Sequence, residues 1–341
     1  YFIISVTYIL TAMGHTLIGG VNKADFSNLI TSVLILLCVF SIYQLCFVGQ
    51  DRMTANKYTQ SFMKGVLTGL ILPFLLMNLG IVPARDVLFF PGGRYKAFLS
   101  HQNTVGIISS FTVSFFLITQ IKAREKAMLL CLCLVPLLLC TSKLNLALSS
   151  LLIFTYFVIV MVPASIGVRL LVLCGAIAAM IPFLPLLASG GIKLLMLVNP
   201  EGAARIALFA ANPTESNTVT ERLYIWQSAI VNGTDALPFG VGISGAPQFL
   251  LGLNHAHNAV LNNYLVFGLP GLAHYIGIVM LCFVGLKRYY SMTQTISAPL
   301  FAGFIGLLAS NMSDSFSNTT SLVVYPLIAM GWAVIALEKR T

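Results

Sequence analysis

Apolar residues run along this chain in long stretches, separated by shorter polar connections. The stretches approach the thickness of a bilayer's hydrocarbon core, and they do not alternate with polar residues as the strands of a membrane barrel do. Because helices satisfy their own backbone hydrogen bonds in lipid, the stretches predict membrane-spanning helices. We expect ten spans: 1–21, 29–49, 65–82, 104–121, 128–140, 146–162, 170–188, 259–286, 299–312 and 321–337.

The composition agrees with this pattern. Of the 341 residues, 58% are hydrophobic and 9% are charged, and the mean hydropathy is +0.92, which is outside the range of soluble globular domains. We therefore expect an all-α integral membrane protein, a polytopic helical bundle. Tyr1 already lies in an apolar run and no initiating Met precedes it, so we expect the residues to begin part-way through a longer protein.

The placement of Lys and Arg predicts the topology. Alternate connections are basic, and the positive-inside rule places them in the cytoplasm. Two of the opposite, outer connections are long, 83–103 and 189–258. We expect the chain to divide into N-terminal transmembrane helices (1–188), a large outer loop (189–258) and C-terminal transmembrane helices (259–341). Within the loop, TVTERLYIWQSAI is expected to form a helix capped by Thr218 or Thr220.

Several cations remain on the outer side despite the rule. They are Lys23, Arg85, Arg94, Lys96, Lys143, Lys193, Arg205 and Arg222. A diphosphate held near the membrane surface would supply the negative charge that they lack, since guanidinium groups pair bidentately with phosphate oxygens. The formal charge of +9 does not point to nucleic acid, because a basic soluble surface interleaved with aromatic residues is missing. Membrane lipids are the expected surroundings.

Residues 254–271, NHAHNAVLNNYLVFGLPG, set histidines and asparagines at the mouth of an apolar run. His257-Asn258, nine residues, Gly268, two residues and Gly271 resemble the signature of the O-antigen ligase and O-antigen polymerase superfamily of bacterial membrane glycosyltransferases. Three stretches agree with it in order: RYKAFLSHQNTVG (94–106), TSKLNLAL (141–148), and ERLYIWQSAI leading to LPFGVGISG (221–245). One element departs. Where the family usually has Ser-Arg and a small residue, this chain has Ser142-Lys143-Leu144, which keeps the charge and loses the planar fork.

The resemblance implies a GT-C-like fold with more helices than ten, in a bacterial inner membrane, with 189–258 as a periplasmic loop that bears catalytic residues. It implies an enzyme that takes a glycan from undecaprenyl diphosphate with inversion, using no cofactor and no metal ion. As a ligase it would transfer O-antigen to the lipid A core; as a polymerase, to another carrier-linked repeat unit. A protein O-oligosaccharyltransferase is the third reading. A lipid-linked glycan transporter would instead spread ionisable residues through the spans.

Cations are expected to stabilise the charge that develops on the leaving diphosphate. Arg222 is the first candidate for this catalytic role, and Lys143 is the second. Arg94 and Arg205 are expected to support donor binding. The alternative for each of Arg222, Arg94 and Arg205 is an ordinary i, i+4 ion-pair partner or a solvated loop charge.

His257 is the candidate general base, because a neutral imidazole can accept the acceptor's hydroxyl proton near pH 7. If the following helix begins at Asn254, His257 lies in its first turn, where the helix dipole favours the neutral ring. The alternative is a structural residue that orients the loop or the donor. His255, two residues earlier, is a possible substrate contact; a zinc site would need a third ligand that is not evident.

Other polar residues have two readings each. His101 and Asn103 either contact sugar or phosphate or form an interfacial loop pair. Asn258, with Asn262 and Asn263, either recognises glycan hydroxyls or caps the helix. His274 lies within a span and is expected to be satisfied by neighbouring helices. Trp226, Tyr224 and Phe239 either stack on sugar rings or belong to an interfacial aromatic belt.

Overall fold

The computed structural model describes residues 52–81, 88–90, 93–97, 99, 102–161, 199–211, 217–253, 256–313 and 318–338, with a few single residues and short pieces elsewhere. The predicted spans 1–21, 29–49 and 170–188 lie almost wholly outside these residues. The helices are α1 (Arg52–Asn78), α2 (Gln102–Ile118), α3 (Ala123–Cys140), α4 (Lys143–Met161), α5 (Pro200–Ala211), α6 (Asn217–Asp235), α7 (Ala259–Thr293), α8 (Ala298–Ser313) and α9 (Asn318–Glu338).

The described residues are 82% helical, which agrees with the predicted all-α class. Two helices, Met53–Asn78 and Ala259–Thr293, are long and apolar enough to cross a membrane by length and composition. Four shorter helical stretches are also apolar: Asn103–Ile118, Asn145–Val158, Ala298–Asn311 and Val323–Glu338. The count of ten spans stays a prediction.

The chain divides into two compact units. The central unit is Lys64–Ser216, and the terminal unit combines Tyr1–Met63 with Asn217–Thr341. In the central unit α2 packs against both α3 and α4. The hydroxyls of Ser109, Ser110 and Thr112 are buried in α2, and each donates to the carbonyl four residues earlier. These local bonds let a helix with several polar residues be buried, and Ser149 of α4 donates to Ser110 Oγ at 3.1 Å.

The long connection 83–103 contains a small antiparallel sheet that the hydropathy pattern did not predict. Strand β1 (Phe89–Phe90) pairs with β2 (Arg94–Tyr95), with Phe89 opposite Tyr95 and Phe90 opposite Arg94. Tyr95 is fully buried, its hydroxyl donates to Leu70 O of α1 at 2.8 Å, and its ring lies against Phe89. This anchor fixes the strand that carries Arg94.

In the terminal unit α7 packs against α6, α8 and α9. Gly285 of α7 and Gly331 of α9 both face Leu300 of α8, so the absence of side chains there permits close helix packing. His274 Nε2 lies 2.6 Å from the hydroxyl of Tyr325 on α9. The expectation that a neighbouring helix satisfies His274 is met at its Nε2.

Two helices extend beyond the spans predicted for them. The basic stretch 52–64 was expected to connect two spans, but α1 begins at Arg52, because residues 52–64 contain neither Gly nor Pro. Helix α7 extends from the predicted span 259–286 to Thr293, and it is interrupted at Gly268, where φ is 61° and ψ is −142°. That conformation is open to glycine and not to a helical residue with a side chain.

Candidate functional site

Helix α6 places Arg222 on the face that meets α7. Arg222, Trp226, Ala229 and Gly233 follow at helical spacing and share one side of α6. Ala229 is fully buried, and a side chain at Gly233 would meet the ring of Tyr264 in α7 at 2.8 Å. Arg222 itself is partly buried. It therefore lies on the packed side of α6, near the helix's N-terminal end.

The start of α6 differs from the expected one. The helix begins at Asn217, so Thr218 and Thr220 lie inside it, and neither is its cap. The N-terminal extension follows from helical periodicity, which continues unbroken from Asn217 to Asp235. Its effect is to place Arg222 in the second turn, where backbone N–H groups already have intrahelical partners.

The segment that carries His257 is fixed by hydrogen bonds at its neighbours. Asn258 accepts from Leu261 N at 3.1 Å and is the N-cap of α7. His257 has φ of 52° and precedes the cap, so it does not lie in the first helical turn, where a helix beginning at Asn254 would have placed it. A residue in this left-handed conformation cannot continue the helix. His257 still directly precedes the N-terminal end of α7, which is the positive end of its dipole.

One hydrogen bond joins the two candidate catalytic elements. The indole Nε1 of Trp226, one turn after Arg222, donates to Ala256 O at 3.0 Å. Ala256 is the residue before His257. The helix of Arg222 and the segment of His257 are thus in direct contact, although 30 positions separate Trp226 from Ala256 in the sequence.

Glycines permit a close approach between the segment 238–242 and helix α7. The segment 238–242 lies against α7 where it is interrupted, and Gly240 and Gly268 approach each other so closely that a side chain at Gly240 would be 2.6 Å from Gly268 N. Three backbone bonds join the segments: Val241 N to Leu265 O at 2.9 Å, Gly242 N to Val266 O at 3.0 Å, and Leu269 N to Pro238 O at 2.9 Å. The interruption therefore leaves α7 carbonyls to accept bonds from the loop, as backbone groups in an apolar environment require.

In the central unit, Asn199 joins three segments that carry predicted cations. It is fully buried, and its side-chain amide donates to Gly93 O at 2.5 Å and to Leu139 O at 3.4 Å. Its Oδ1 accepts from Gly202 N at 3.1 Å, which caps α5. The residue before Arg94, the end of α3 that leads to Lys143, and the first turn of the helix of Arg205 therefore meet at one side chain. The hydropathy pattern gave no indication of this junction.

Of the three cations Arg94, Lys143 and Arg205, Arg94 is the one whose side chain the structure describes. It is half-buried, and it makes no salt bridge with any residue in the described ranges. Desolvation lowers the pKa of its guanidinium below the ordinary value, because burial penalises the charged form. Beside it, burial raises the pKa of the Tyr95 phenol, so Tyr95 acts as a neutral anchor. Arg94 is a partly dehydrated cation suited to an anionic ligand.

Of five further predicted site residues, only Asn103 has a side chain that the structure describes. Lys143 and Arg205 lie in α4 and α5, but their side chains are outside the described part of the chain, and so are His101 and His255. Asn103 is partly exposed in the first turn of α2.

The asparagines near His257 make structural bonds. Asn258 caps α7, the Oδ1 of Asn262 accepts from Ala256 N at 3.1 Å, and Asn263 donates to Ala259 O at 2.8 Å. Trp226 is tied to Ala256, whereas Tyr224 and Phe239 are 58% and 57% exposed. Because Tyr224 and Phe239 are exposed, their rings could either stack on sugar rings or belong to an interfacial aromatic belt.

Within the described residues, then, the structure brings together the elements of Arg222 and His257 in one unit. In the central unit Asn199 joins the backbone segments next to Arg94, Lys143 and Arg205. No protein-family model matches this chain, and no curated protein matches it either. The assignment of its function therefore rests on these residues.

Proposed function

We propose that this protein is a glycosyltransferase of the bacterial inner membrane, an O-antigen ligase that moves a glycan from undecaprenyl diphosphate to the lipid A core at the periplasmic face. The observation that carries the proposal is the bond from Trp226 to Ala256, which joins the helix of Arg222 to the segment of His257. A permanent cation and an imidazole on contacting elements are the two groups that this transfer needs. The resemblance of residues 254–271 to the ligase and polymerase signature supplies the substrate class.

The chemistry is a single displacement. A hydroxyl of the acceptor sugar attacks the anomeric carbon of the donor glycan, and the bond from that carbon to the diphosphate oxygen breaks as the new glycosidic bond forms. His257 accepts the hydroxyl proton. Arg222 stabilises the negative charge on the departing undecaprenyl diphosphate. Attack from the face opposite the leaving group inverts the anomeric centre, and neither an oxidant nor a metal ion is required.

The cations of the central unit are assigned to donor binding. Arg94 is half-buried and makes no salt bridge with the residues that the structure describes, so a phosphate oxygen would compensate for its lost hydration. Lys143 and Arg205 add positive charge on segments that meet at Asn199. Lys143 offers a point charge in place of the guanidinium that the related motif has, which reduces directional pairing with the diphosphate.

The membrane arrangement completes the proposal. In it the chain forms ten spans of a GT-C-like bundle, and 189–258 is a periplasmic loop that includes α6 and the segment leading to His257. The support is the alternation of basic connections along the sequence together with the two helices of sufficient length and apolarity, Met53–Asn78 and Ala259–Thr293. The periplasmic side is where carrier-linked glycan and core would meet.

The test uses the purified protein, carrier-linked glycan, and lipid A core either present or absent, with products resolved by size. Glycan joined to the core establishes the ligase. A ladder that grows without core establishes a polymerase instead. Movement of intact carrier-linked glycan between vesicle leaflets, without any release of undecaprenyl diphosphate, would identify a transporter and refute the proposal.

A further inference from the structure

Ala256 is held by side chains on both sides of its backbone. Its N–H donates to Oδ1 of Asn262 at 3.1 Å, and its carbonyl accepts from Nε1 of Trp226 at 3.0 Å. Ala256 is itself fully buried, so neither backbone group can exchange its partner for bulk water. A buried backbone group that loses its partner is strongly disfavoured. The two side chains therefore fix this peptide segment from opposite directions.

The fixed residue directly precedes His257. His257 has φ of 52°, a conformation that residues with side chains rarely adopt and keep only where the surroundings impose it. On its other side Asn258 is held as the cap of α7. Because the backbone is restrained at Ala256 and at Asn258, these bonds determine the direction in which the side chain of His257 projects from the backbone.

The same indole also relates His257 to Arg222. Trp226 lies one turn after Arg222 on α6, and it packs against the apolar cluster that includes Ile225, Ala229 and Leu265. Loss of the indole N–H would release the end of the His257 segment from α6 while leaving the ring in place. Loss of the Asn262 carbonyl would release it from α7.

We infer that Trp226 and Asn262 are positioning residues for the imidazole of His257, which they place by clamping the backbone of Ala256 between α6 and α7. The inference rests on the proposed function, in which His257 accepts a proton from the acceptor hydroxyl. A base must lie within hydrogen-bond reach of the hydroxyl whose proton it accepts. Moving such a group by about 1 Å can lower the rate on the order of 100-fold. Neither residue touches the reacting atoms in this role.

The chain offers a matched control for the indole. It has two tryptophans, and Nε1 of Trp332 is buried without a hydrogen-bond partner among the described residues. Trp226→Phe and Trp332→Phe each remove one indole N–H and keep an aromatic ring. In Trp226→Phe we expect kcat for glycan transfer to fall roughly 10-fold to 100-fold with little change in KM for the donor. In Trp332→Phe we expect wild-type values.

Asn262 gives a second, independent pair of variants. Asn262→Ala removes the oxygen that accepts from Ala256, whereas Asn262→Asp keeps an acceptor in its place. The alanine variant should lose kcat on the order of 10-fold, and the aspartate variant should recover most of it. Hydrogen exchange of residues 253–262 should be faster in Trp226→Phe and Asn262→Ala, and as in wild type for Trp332→Phe and Asn262→Asp.

The outcomes separate the inference from the proposed function. Unchanged kcat and unchanged exchange in Trp226→Phe and Asn262→Ala, beside an active wild type, would overturn the positioning roles alone. Loss that appears only as a raised KM for glycan would instead make Trp226 a sugar contact. A folded wild type that transfers no glycan would overturn the proposed function and, with it, the inference.

Discussion

Alanine at Gly240 should destabilise the terminal unit far more than alanine at Gly252, although both glycines have a similar left-handed backbone. Their φ angles are 76° and 78°. A Cβ at Gly240 would lie 2.6 Å from Gly268 N, Leu265 O and Val266 O, whereas a Cβ at Gly252 would meet nothing within 4 Å. The pair therefore separates the conformational cost of a side chain from the cost of forcing 238–242 away from the interrupted helix α7.

The magnitude follows from those contacts. Left-handed strain costs about 1–2 kcal/mol for a residue with a side chain, and it applies at both positions. At Gly240 overpacking adds about 1–3 kcal/mol. Weakening of the bonds from Val241 and Gly242 to α7 adds about 0.5–1.5 kcal/mol for each bond. Gly240→Ala should thus be at least about 2 kcal/mol less stable than Gly252→Ala.

Thermal unfolding of both variants in the same detergent measures this difference. For a domain of 150–250 residues each kcal/mol shifts Tm by about 2–4 °C, so Gly240→Ala should unfold at least roughly 4 °C below Gly252→Ala. Equal Tm values would refute the close approach of Gly240 to α7. A lower Tm for Gly252→Ala would show that the loop packs in another way.

Four further outcomes are expected. Arg222→Ala should abolish glycan transfer with little loss of folded protein, measured as undecaprenyl diphosphate release, and near-wild-type turnover would remove Arg222 from the diphosphate site. His257→Ala should lower kcat by a factor on the order of 100; a change confined to donor affinity would make it a binding residue. Transfer should survive EDTA, and dependence on added magnesium in the same assay would contradict a metal-independent displacement. Asn199→Ala removes the partners of three buried backbone groups at about 1–3 kcal/mol each, so its Tm should fall by several degrees, and a wild-type Tm would exclude the junction.

The sequence predicted the helical class because continuous apolar runs are a local signal that needs no tertiary information. It also predicted that His274 would be satisfied within a bundle, since an unpaired imidazole in an apolar interior is costly. The interruption at Gly268 could not be located in the same way. It is stabilised by backbone bonds donated by Val241 and Gly242 and by one that Pro238 O accepts from Leu269, and hydropathy does not record pairing with a segment about 30 residues earlier.

The start of α7 at Ala259 agrees with the predicted span 259–286, but the sequence left a second start at Asn254 open. Asn254 and Asn258 are both suitable caps by residue type, and the choice between them depends on the bonds that hold Ala256. The pairing of α6 with the His257 segment likewise depends on Trp226, whose sequence context fits an interfacial belt equally well. Asn199 was missed although a local signal exists: Asn followed by Pro200 is a typical N-cap and first helical residue.

The most direct test of the central claim counts bonds broken and formed. Purified protein is given carrier-linked glycan and lipid A core in EDTA, and released undecaprenyl diphosphate is measured against new glycosidic bonds. Glycan transfer by displacement predicts one carrier released for each bond formed, with both products lost in Arg222→Ala. Release without a new glycosidic bond, or no release by folded wild-type protein, would contradict it.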